Sequence, residues 1–298
     1  MKNRYNPIFA SALSLVMLLT CSSPVSAMDI ERIEKQALPA DQITTFEAAA
    51  IDGSYMVKPG DKDEILLKIT REIRGVTEDE AEQVLAAMKT EFNADGDTVY
   101  LREDHPKNAK EWEKATGLRN VEFEVLYELW IPESIDLNLS TIEGDVAVGK
   151  MSAVCRVSTV EGDVMIEEAG KLAEVSSVEG DVMVTKVAGT AKVSTVEGDV
   201  MIREVAAFQA QTVEGDVMIR LTTQPSGNCR LNTVEGDAQV TISPDLAVSI
   251  VGQTLGGKTI LDLPLEDKVT TGGQVVGNRN GGGPSIHLNS VGGDIVIK

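Results

Sequence analysis

The chain has 298 residues, with 47 acidic and 27 basic side chains that give a formal net charge of −20 at pH 7. This charge argues against binding to nucleic acid or to an anionic membrane surface by general electrostatic attraction. Aromatic residues make up only 4% of the sequence, which argues against an enzyme with an aromatic-lined substrate pocket.

The first 27 residues have the pattern of an export signal. Two basic residues precede an apolar run over residues 8–19, and small residues up to Ala27 offer a cleavage site. The run is too short to span a bilayer comfortably. We therefore predict an exported mature chain in the periplasm or at the cell surface, without a transmembrane segment. The alternative is a lipid-anchored protein that is cleaved and lipidated at Cys21.

Residues 28–132 have a different composition, and we predict that they form a small α/β cap region. Alternating apolar residues predict strands, of which the longest covers residues 121–131. Thr77 and Glu80 form a capping box that predicts a helix over residues 81–92. Because a stack of repeats needs its first edge covered, this region is expected to cap the repeats that follow.

Residues 133–298 contain a repeat whose clearest copies read Thr-Val-Glu-Gly-Asp-Val-Met-Ile. The copies are centred on glycines spaced by 18, 18, 18, 17 and 21 residues, namely Gly144, Gly162, Gly180, Gly198, Gly215 and Gly236. A degenerate copy over residues 289–297 ends the chain. Units this short cannot bury their own apolar faces, so they must stack on one another.

Each unit is predicted to be a strand, a turn, a second strand and a variable link. Val and Ile suit strands, whereas Glu-Gly-Asp is typical of a turn. Two architectures fit: antiparallel hairpins, or a parallel β-solenoid in which each unit is one coil. We favour the solenoid, because only one of the two turns in each unit is fixed in sequence. The predicted fold class is mainly β, a β-helix-like parallel β-solenoid, expected to be right-handed, with the α/β cap at its N-terminus.

Stacking of coils about 4.8 Å apart places equivalent side chains in columns. Val164 and Ile166 begin two columns that are predicted to be core. The methionines between them point to the opposite face. Either a neighbouring segment covers them, or they form a surface for a protein partner, a cell-envelope partner or self-association. These methionines are Met165, Met183, Met201 and Met218. On the preceding arm, the sequence does not decide whether Val157 or Ser158 points inward.

The same stacking aligns two columns of carboxylates, and like charges at this separation repel by roughly 1 kcal/mol in water. A solvated acidic edge relieves most of this repulsion and is the simpler interpretation. The alternative is a ladder of Ca²⁺ ions held by carboxylate oxygens. The candidate ligands are Glu161, Asp163, Glu179, Asp181, Glu197, Asp199, Glu214 and Asp216. No other cofactor is predicted.

Cys155 and Cys229 occupy one column four coils apart, which is roughly 19 Å at this strand spacing and too far for a disulfide. We therefore predict two unpaired thiols, despite an oxidising compartment.

Residues 252–259 match a phosphate-binding loop pattern, but Pro264 follows so closely that a good helix cannot begin there. The two histidines fit no metal or triad spacing, and we predict that the chain is not an enzyme.

The chain resembles the putative-adhesin family of exported bacterial β-strand-repeat proteins, whose function is uncharacterised. The resemblance rests on the strand ending in Leu-Trp-Ile-Pro at Pro132, the segment Ile-Asp-Leu-Asn-Leu that begins at Ile135, and the repeated Thr-Val-x-Gly-Asp-Val units. It covers residues 45–298. The resemblance implies a parallel β-helix-like fold and a location outside the cytoplasm.

These features together predict an exported, non-catalytic, adhesin-like scaffold that binds partners through the surfaces of its repeats. Two alternatives remain open. One is a Ca²⁺-binding repeat module that uses the acidic columns. The other is a polysaccharide-acting enzyme, since parallel β-helices can host such sites.

Overall fold

The computed structural model describes residues 27–298, which form 23 strands and two short helices around one hydrophobic core. The predicted signal peptide, residues 1–27, lies outside the described residues except for Ala27, as does Cys21. Neither helix of the described chain is long and apolar enough to cross a membrane. The fold is mainly β, as predicted.

The N-terminal region contains seven strands and both helices. In chain order they are β1 (Met28–Pro39), β2 (Thr45–Ala49), β3 (Ser54–Pro59), β4 (Glu64–Val76), α1 (Glu78–Ala87), β5 (Lys89–Asp95), β6 (Thr98–Asp104), α2 (Ala109–Thr116) and β7 (Glu122–Ile131). Strand β4 runs antiparallel to β1 and to β7, and β5 runs antiparallel to β6.

Helix α1 begins at the predicted capping box but ends earlier than the sequence suggested. The Glu80 N–H donates to the Thr77 hydroxyl at 3.3 Å, and the Thr77 N–H donates to the Glu80 carboxylate at 2.8 Å. The helix predicted over residues 81–92 stops at Ala87, and β5 follows. The physical reason is the hairpin with β6, whose cross-strand hydrogen bonds replace those of a longer helix.

The repeats supply the next ten strands. They are β8 (Asp136–Ser140), β9 (Val146–Met151), β10 (Val154–Ser158), β11 (Val164–Ala169), β12 (Leu172–Ser176), β13 (Val182–Ser194), β14 (Val200–Glu214), β15 (Val217–Leu221), β16 (Cys229–Glu235) and β17 (Ala238–Ile242). Each repeat has a first arm before the Glu-Gly-Asp turn and a second arm after it, so first arms and second arms form two ladders, here called the first-arm sheet and the second-arm sheet.

Equivalent arms stack parallel and in register. On the first-arm sheet Val157 pairs with Val175, and on the second-arm sheet Val164 pairs with Val182. Strands β13 and β14 run from one sheet into the other, so that the two sheets join into one nearly closed sheet. The stacked coils expected of a solenoid are therefore present within the repeats.

The chain ends with six further strands. They are β18 (Val248–Thr254), β19 (Thr259–Leu261), β20 (Glu266–Thr271), β21 (Gln274–Arg279), β22 (Ser285–Ser290) and β23 (Ile295–Ile297). The last coil in sequence is not the last in space. Strand β22 lies between β16 and β18, and β23 lies between β17 and β19.

The stack also continues into the N-terminal region. Strands β2 and β3 pair parallel with β8 and β9, and β6 and β7 pair parallel with β2 and β3. The expectation of a purely parallel sheet is wrong, because the pairing is mixed at both ends of the stack. Two strands that are joined by a short turn and pair with each other, as β5–β6 and β20–β21 do, must run antiparallel.

The predicted core columns are buried between the two sheets. Val164, Val182 and Val200 are each 1% exposed, and Ile166 is fully buried. Because successive residues of a strand point to opposite faces, Val164 and Ile166 share the buried face and Met165 lies on the other. Larger side chains, including Tyr55, Tyr127 and Phe46, fill the wider core at the N-terminal end.

Candidate functional site

Each of the six clear copies of the repeat turns at a glycine whose backbone conformation is rarely adopted by other residues. Gly162, Gly180 and Gly198 have φ angles of +129°, +120° and +124°. A Cβ on Gly180 would overlap the carbonyl oxygen of Gly162 in the neighbouring coil. Only glycine fits at this turn, which explains its presence in these copies of the repeat.

The aspartate of each turn holds the next coil through a hydrogen bond. The backbone N–H of Asp181 donates to the Asp163 carboxylate at 2.8 Å, and that of Asp199 donates to the Asp181 carboxylate at 2.8 Å. The ladder runs unbroken from Asp145 to Asp294. Hydrogen bonds to a carboxylate are charge-assisted, so this ladder offsets part of the repulsion between the stacked aspartates.

The first arm faces inward with Val157 and Thr159, which are each 3% exposed. The Thr159 hydroxyl donates to the Glu161 carbonyl at 3.1 Å, so this buried polar group is satisfied. The residue after the threonine points outward and forms an exposed apolar column, here called the edge column. Its members are Ile142, Val160, Val178, Val196, Val213, Val234 and Val291.

The predicted glutamate column lies beside the edge column, with neighbouring glutamates in parallel bridges from Glu143 to Glu214. Repulsion by Asp52, with burial and Glu161 as smaller causes, raises the pKa of Glu143. Within residues 27–298, no group of three or more His, Cys, Asp or Glu side chains is arranged to hold a metal ion. The eight candidate ligands lie in their predicted columns. Ca²⁺ binding by them stays a prediction.

The methionine column also lies where it was predicted, on the outer face of the second-arm sheet. Met165, Met183, Met201 and Met218 pair successively in register. Met165 is 51% exposed and Met218 is 45% exposed, whereas the two between them are half-buried. Gln239 continues the column on the next coil. The column is thus open to solvent along part of its length.

The two cysteines are part of the buried core. Cys155 and Cys229 are free and buried, as predicted. Burial raises the pKa of the Cys155 thiol to about 12 and also raises that of Cys229.

The phosphate-loop pattern at residues 252–259 belongs to a repeat turn. Gly257 packs against the Gly293 backbone, and strand β19 follows where a nucleotide-binding loop would need a helix.

A buried polar cluster lies in the N-terminal region between β4, β6 and β7. Glu103, Arg71 and Tyr127 are 8%, 6% and 0% exposed. Arg71 donates to Glu34 at 3.2 Å and to Thr90 at 2.6 Å, while both carboxylate oxygens of Glu103 lack a hydrogen-bond partner. Burial raises the pKa of Glu103. Sequence reasoning missed this cluster, because its members come from strands far apart in the chain.

Sequence reasoning also missed the outward surface of the first arm, although a signal was present. Arg156 alternates with Ser158 and Val160, so all three share one side of the strand. An arginine without a partner is almost never fully buried. Arg156 therefore indicates that Ser158 and Val160 face solvent, as the structure has them.

Two solved structures resemble this chain at low sequence identity. A putative adhesin from Bacteroides fragilis is similar over 89% of this chain and 97% of that chain, with 12% identity and a TM-score of 0.51. This likeness shows the fold alone. A putative lipid binding protein from Parabacteroides distasonis matches over 89% and 97% of the two chains, with 12% identity and a TM-score of 0.43, which supports no argument. No curated protein matches the chain.

A family model gives the more direct assignment. Residues 120–298 match the model described as Toastrack DUF4097, which spans the structure from β7 to β23. The match agrees with the resemblance to the putative-adhesin family that the strand ending at Pro132 and the Gly-Asp repeats indicated. Because it covers more than half of the chain, this protein belongs to the Toastrack DUF4097 family.

Proposed function

We propose that this protein is an exported, non-catalytic scaffold that binds a protein or a component of the cell envelope through its stacked repeats. The methionine column carries the proposal, since it places flexible apolar side chains in register on an open sheet face. Methionine suits adaptable recognition because it is unbranched and polarizable. The adhesin name of a similar structure is consistent with a binding role. The coil is taken to be right-handed, as parallel crossovers usually are.

Export is tested by fractionating the source cells and measuring the mass of the mature N-terminus. Simple cleavage is supported if the chain in the periplasm or at the cell surface begins at Met28. A lipid-modified chain that begins at Cys21 would replace simple cleavage with lipid anchoring. An uncleaved chain recovered only from the cytosol would contradict export.

The binding surface is tested by co-sedimenting the purified protein with isolated cell envelopes. Replacing Met165, Met183, Met201 and Met218 with glutamine keeps side-chain length, and Gln239 already occupies this column. We expect retention on envelopes to fall about tenfold, since each lost apolar contact weakens binding. A matched control replaces Leu255 and Val269, which are 77% and 59% exposed, with glutamine. Equal retention of wild type and the methionine variant would contradict the proposal.

Cation binding is a second candidate because the glutamate column is exposed and in register. Its weakness is that one oxygen of each ladder aspartate already accepts a backbone hydrogen bond, as at Asp163 and Asp181. Titration calorimetry with Ca²⁺ at low ionic strength tests it. A heat that disappears in Glu179→Gln/Glu197→Gln supports the candidate, whereas no heat with the wild type removes it.

A further inference from the structure

The outer face of the first-arm sheet carries a groove that is separate from the methionine column. Two adjoining cavities of about 620 Å³ and about 410 Å³ open on this face and share Glu174 and Ser176. Their lining residues come from eight consecutive strands of the ladder, from β6 to β16. At the usual strand spacing, the groove is about 34 Å long.

Small and neutral polar side chains form the floor of the groove. One such residue comes from each of the six strands β8, β10, β12, β13, β14 and β16, and neighbours pair in register across the strands. The floor consists of Ser140, Ser158, Ser176, Ser194, Gln211 and Asn232. Their hydroxyl and amide groups can both donate and accept hydrogen bonds, which matches a ligand rich in hydroxyl groups.

The side of the groove is cationic, although the whole chain is acidic. The lining cations are Arg102, Arg156, Lys192 and Arg230. Only Glu47 and Glu174 oppose them in the lining, whereas the chain carries a net charge of −20. Glu174 lies 3.2 Å from Arg156 and 4.0 Å from Lys192, so it holds both side chains along the groove. This local reversal of charge selects for an anionic ligand.

An aromatic ring ends the groove on the β6 side. The guanidinium carbon of Arg102 lies 4.8 Å from the centre of the Tyr100 ring, so the arginine stacks over it. This cation–π contact holds the guanidinium of Arg102 in place at the end of the groove, where it can meet an anionic ligand.

The backbone beneath the groove offers a ligand no hydrogen bonds. Strand β10 pairs with β8 on one side and with β12 on the other, and its neighbours are paired in the same way. A peptide that binds by strand addition needs a free sheet edge. Recognition in the groove must therefore come from side chains, which favours a polymer of hydroxylated rings over an extended peptide.

We propose that this groove binds an extended polysaccharide that carries carboxylates, lying along the stack. The arginines and Lys192 pair with the carboxylates, and the serine, glutamine and asparagine side chains bond to the hydroxyls. Because the repeat of a pyranose chain is close to the strand spacing, successive sugars meet successive coils. The site lies on the face opposite the methionine column and does not depend on binding there.

Affinity electrophoresis in native gels that contain polygalacturonate tests the groove with the full chain. We expect the wild type to be slowed. The variant Arg156→Ala/Arg230→Ala removes two cations of the groove and is expected to weaken binding about tenfold. Its control, Arg203→Ala/Arg220→Ala, removes the same charge from strands of the second-arm sheet and should bind like the wild type.

A second variant tests the shape of the groove without changing its charge. Ser176→Tyr fills the floor where the two cavities meet, and we expect it to reduce retardation as well. Circular dichroism checks that each variant is folded. The proposal is overturned if polygalacturonate does not slow the wild type or if both arginine double variants lose binding equally. It is also overturned if polyglutamate binds as tightly as polygalacturonate, because the ligand would then be recognised by charge alone.

Discussion

The glycine of each turn is required by the coil packed against it, and Gly198 offers a direct test. Its φ is +124°, and a Cβ there would overlap the Gly180 carbonyl. We expect Gly198→Ala to lower the free energy of unfolding by about 3 kcal/mol. Gly227→Ala, at a glycine with open space around it, should change it by less than about 0.5 kcal/mol. Urea denaturation followed by circular dichroism measures both, and similar losses would argue against backbone crowding as the cause.

The aspartate ladder can be separated into its hydrogen bond and its charge at Asp181. Its carboxylate accepts the Asp199 N–H at 2.8 Å. Asp181→Ala removes the acceptor and should cost about 1–2 kcal/mol of unfolding free energy, as loss of a helix N-cap does. Asp181→Asn keeps an acceptor oxygen and relieves repulsion from Asp163, so it should cost less. Urea denaturation compares the two, and equal costs would mean that charge, not the hydrogen bond, explains the aspartate.

Glu103 makes stability depend on pH, because burial raises its pKa in the folded state. Its favourable contribution is complete below the unfolded value of about 4.3 and is lost as pH rises through the raised folded value. Glu103→Gln removes this loss. We therefore expect the variant to gain stability relative to wild type between about pH 4 and about pH 7. Urea denaturation at both pH values measures it, with exposed Glu91→Gln as control; a pH-independent difference would contradict the assignment.

At the scale of the strand, the sequence predicts which residues face the core wherever residues two apart share the same character. The second arm was assigned correctly. Val164 and Ile166 are two residues apart and share the buried face, whereas Met165 lies between them and points outward. The first arm was left undecided, because buried Thr159 is polar and exposed Val160 is apolar. Its true facing depends on a hydrogen bond to the turn, which only the folded coil supplies. The candidate columns were therefore predictable, and the groove beside them was not.

The order of strands in space was the part that sequence did not predict. Residues 45–59 and 285–297 enter the stack as inner coils, although the chain contributes other coils outside them. Alternation sets which face of a strand is buried, but not which neighbour pairs with its edge. Which strand pairs with which depends on contacts between residues far apart in the chain, and these contacts leave no local signal in the sequence. The repeat period located the coils, while their stacking order at both ends required the structure.

For the whole molecule, this insertion makes residues 285–297 an internal part of the sheet. Strand β22 pairs with β16 and β18, so it completes the sheet on both of its sides. Strand β22 therefore bridges β16 and β18, which do not pair directly with each other. Loss of this segment should therefore open the C-terminal part of the stack while the central repeats persist.

A chain truncated after Pro284 tests this arrangement through its buried thiols. Cys229 lies on β16 beside β22, opposite Ile286, whereas Cys155 lies between β8 and β12. Both thiols are buried in the intact chain, so a thiol reagent should label neither of them quickly. After truncation we expect Cys229 to be labelled at least about tenfold faster, because an opening of only about 1.4 kcal/mol exposes it that much more often. Labelled peptides identified by mass spectrometry measure each cysteine separately. Equal labelling of Cys155 and Cys229 would show that the stack opens as one unit, and unchanged protection of Cys229 would show that β22 is not needed to close it.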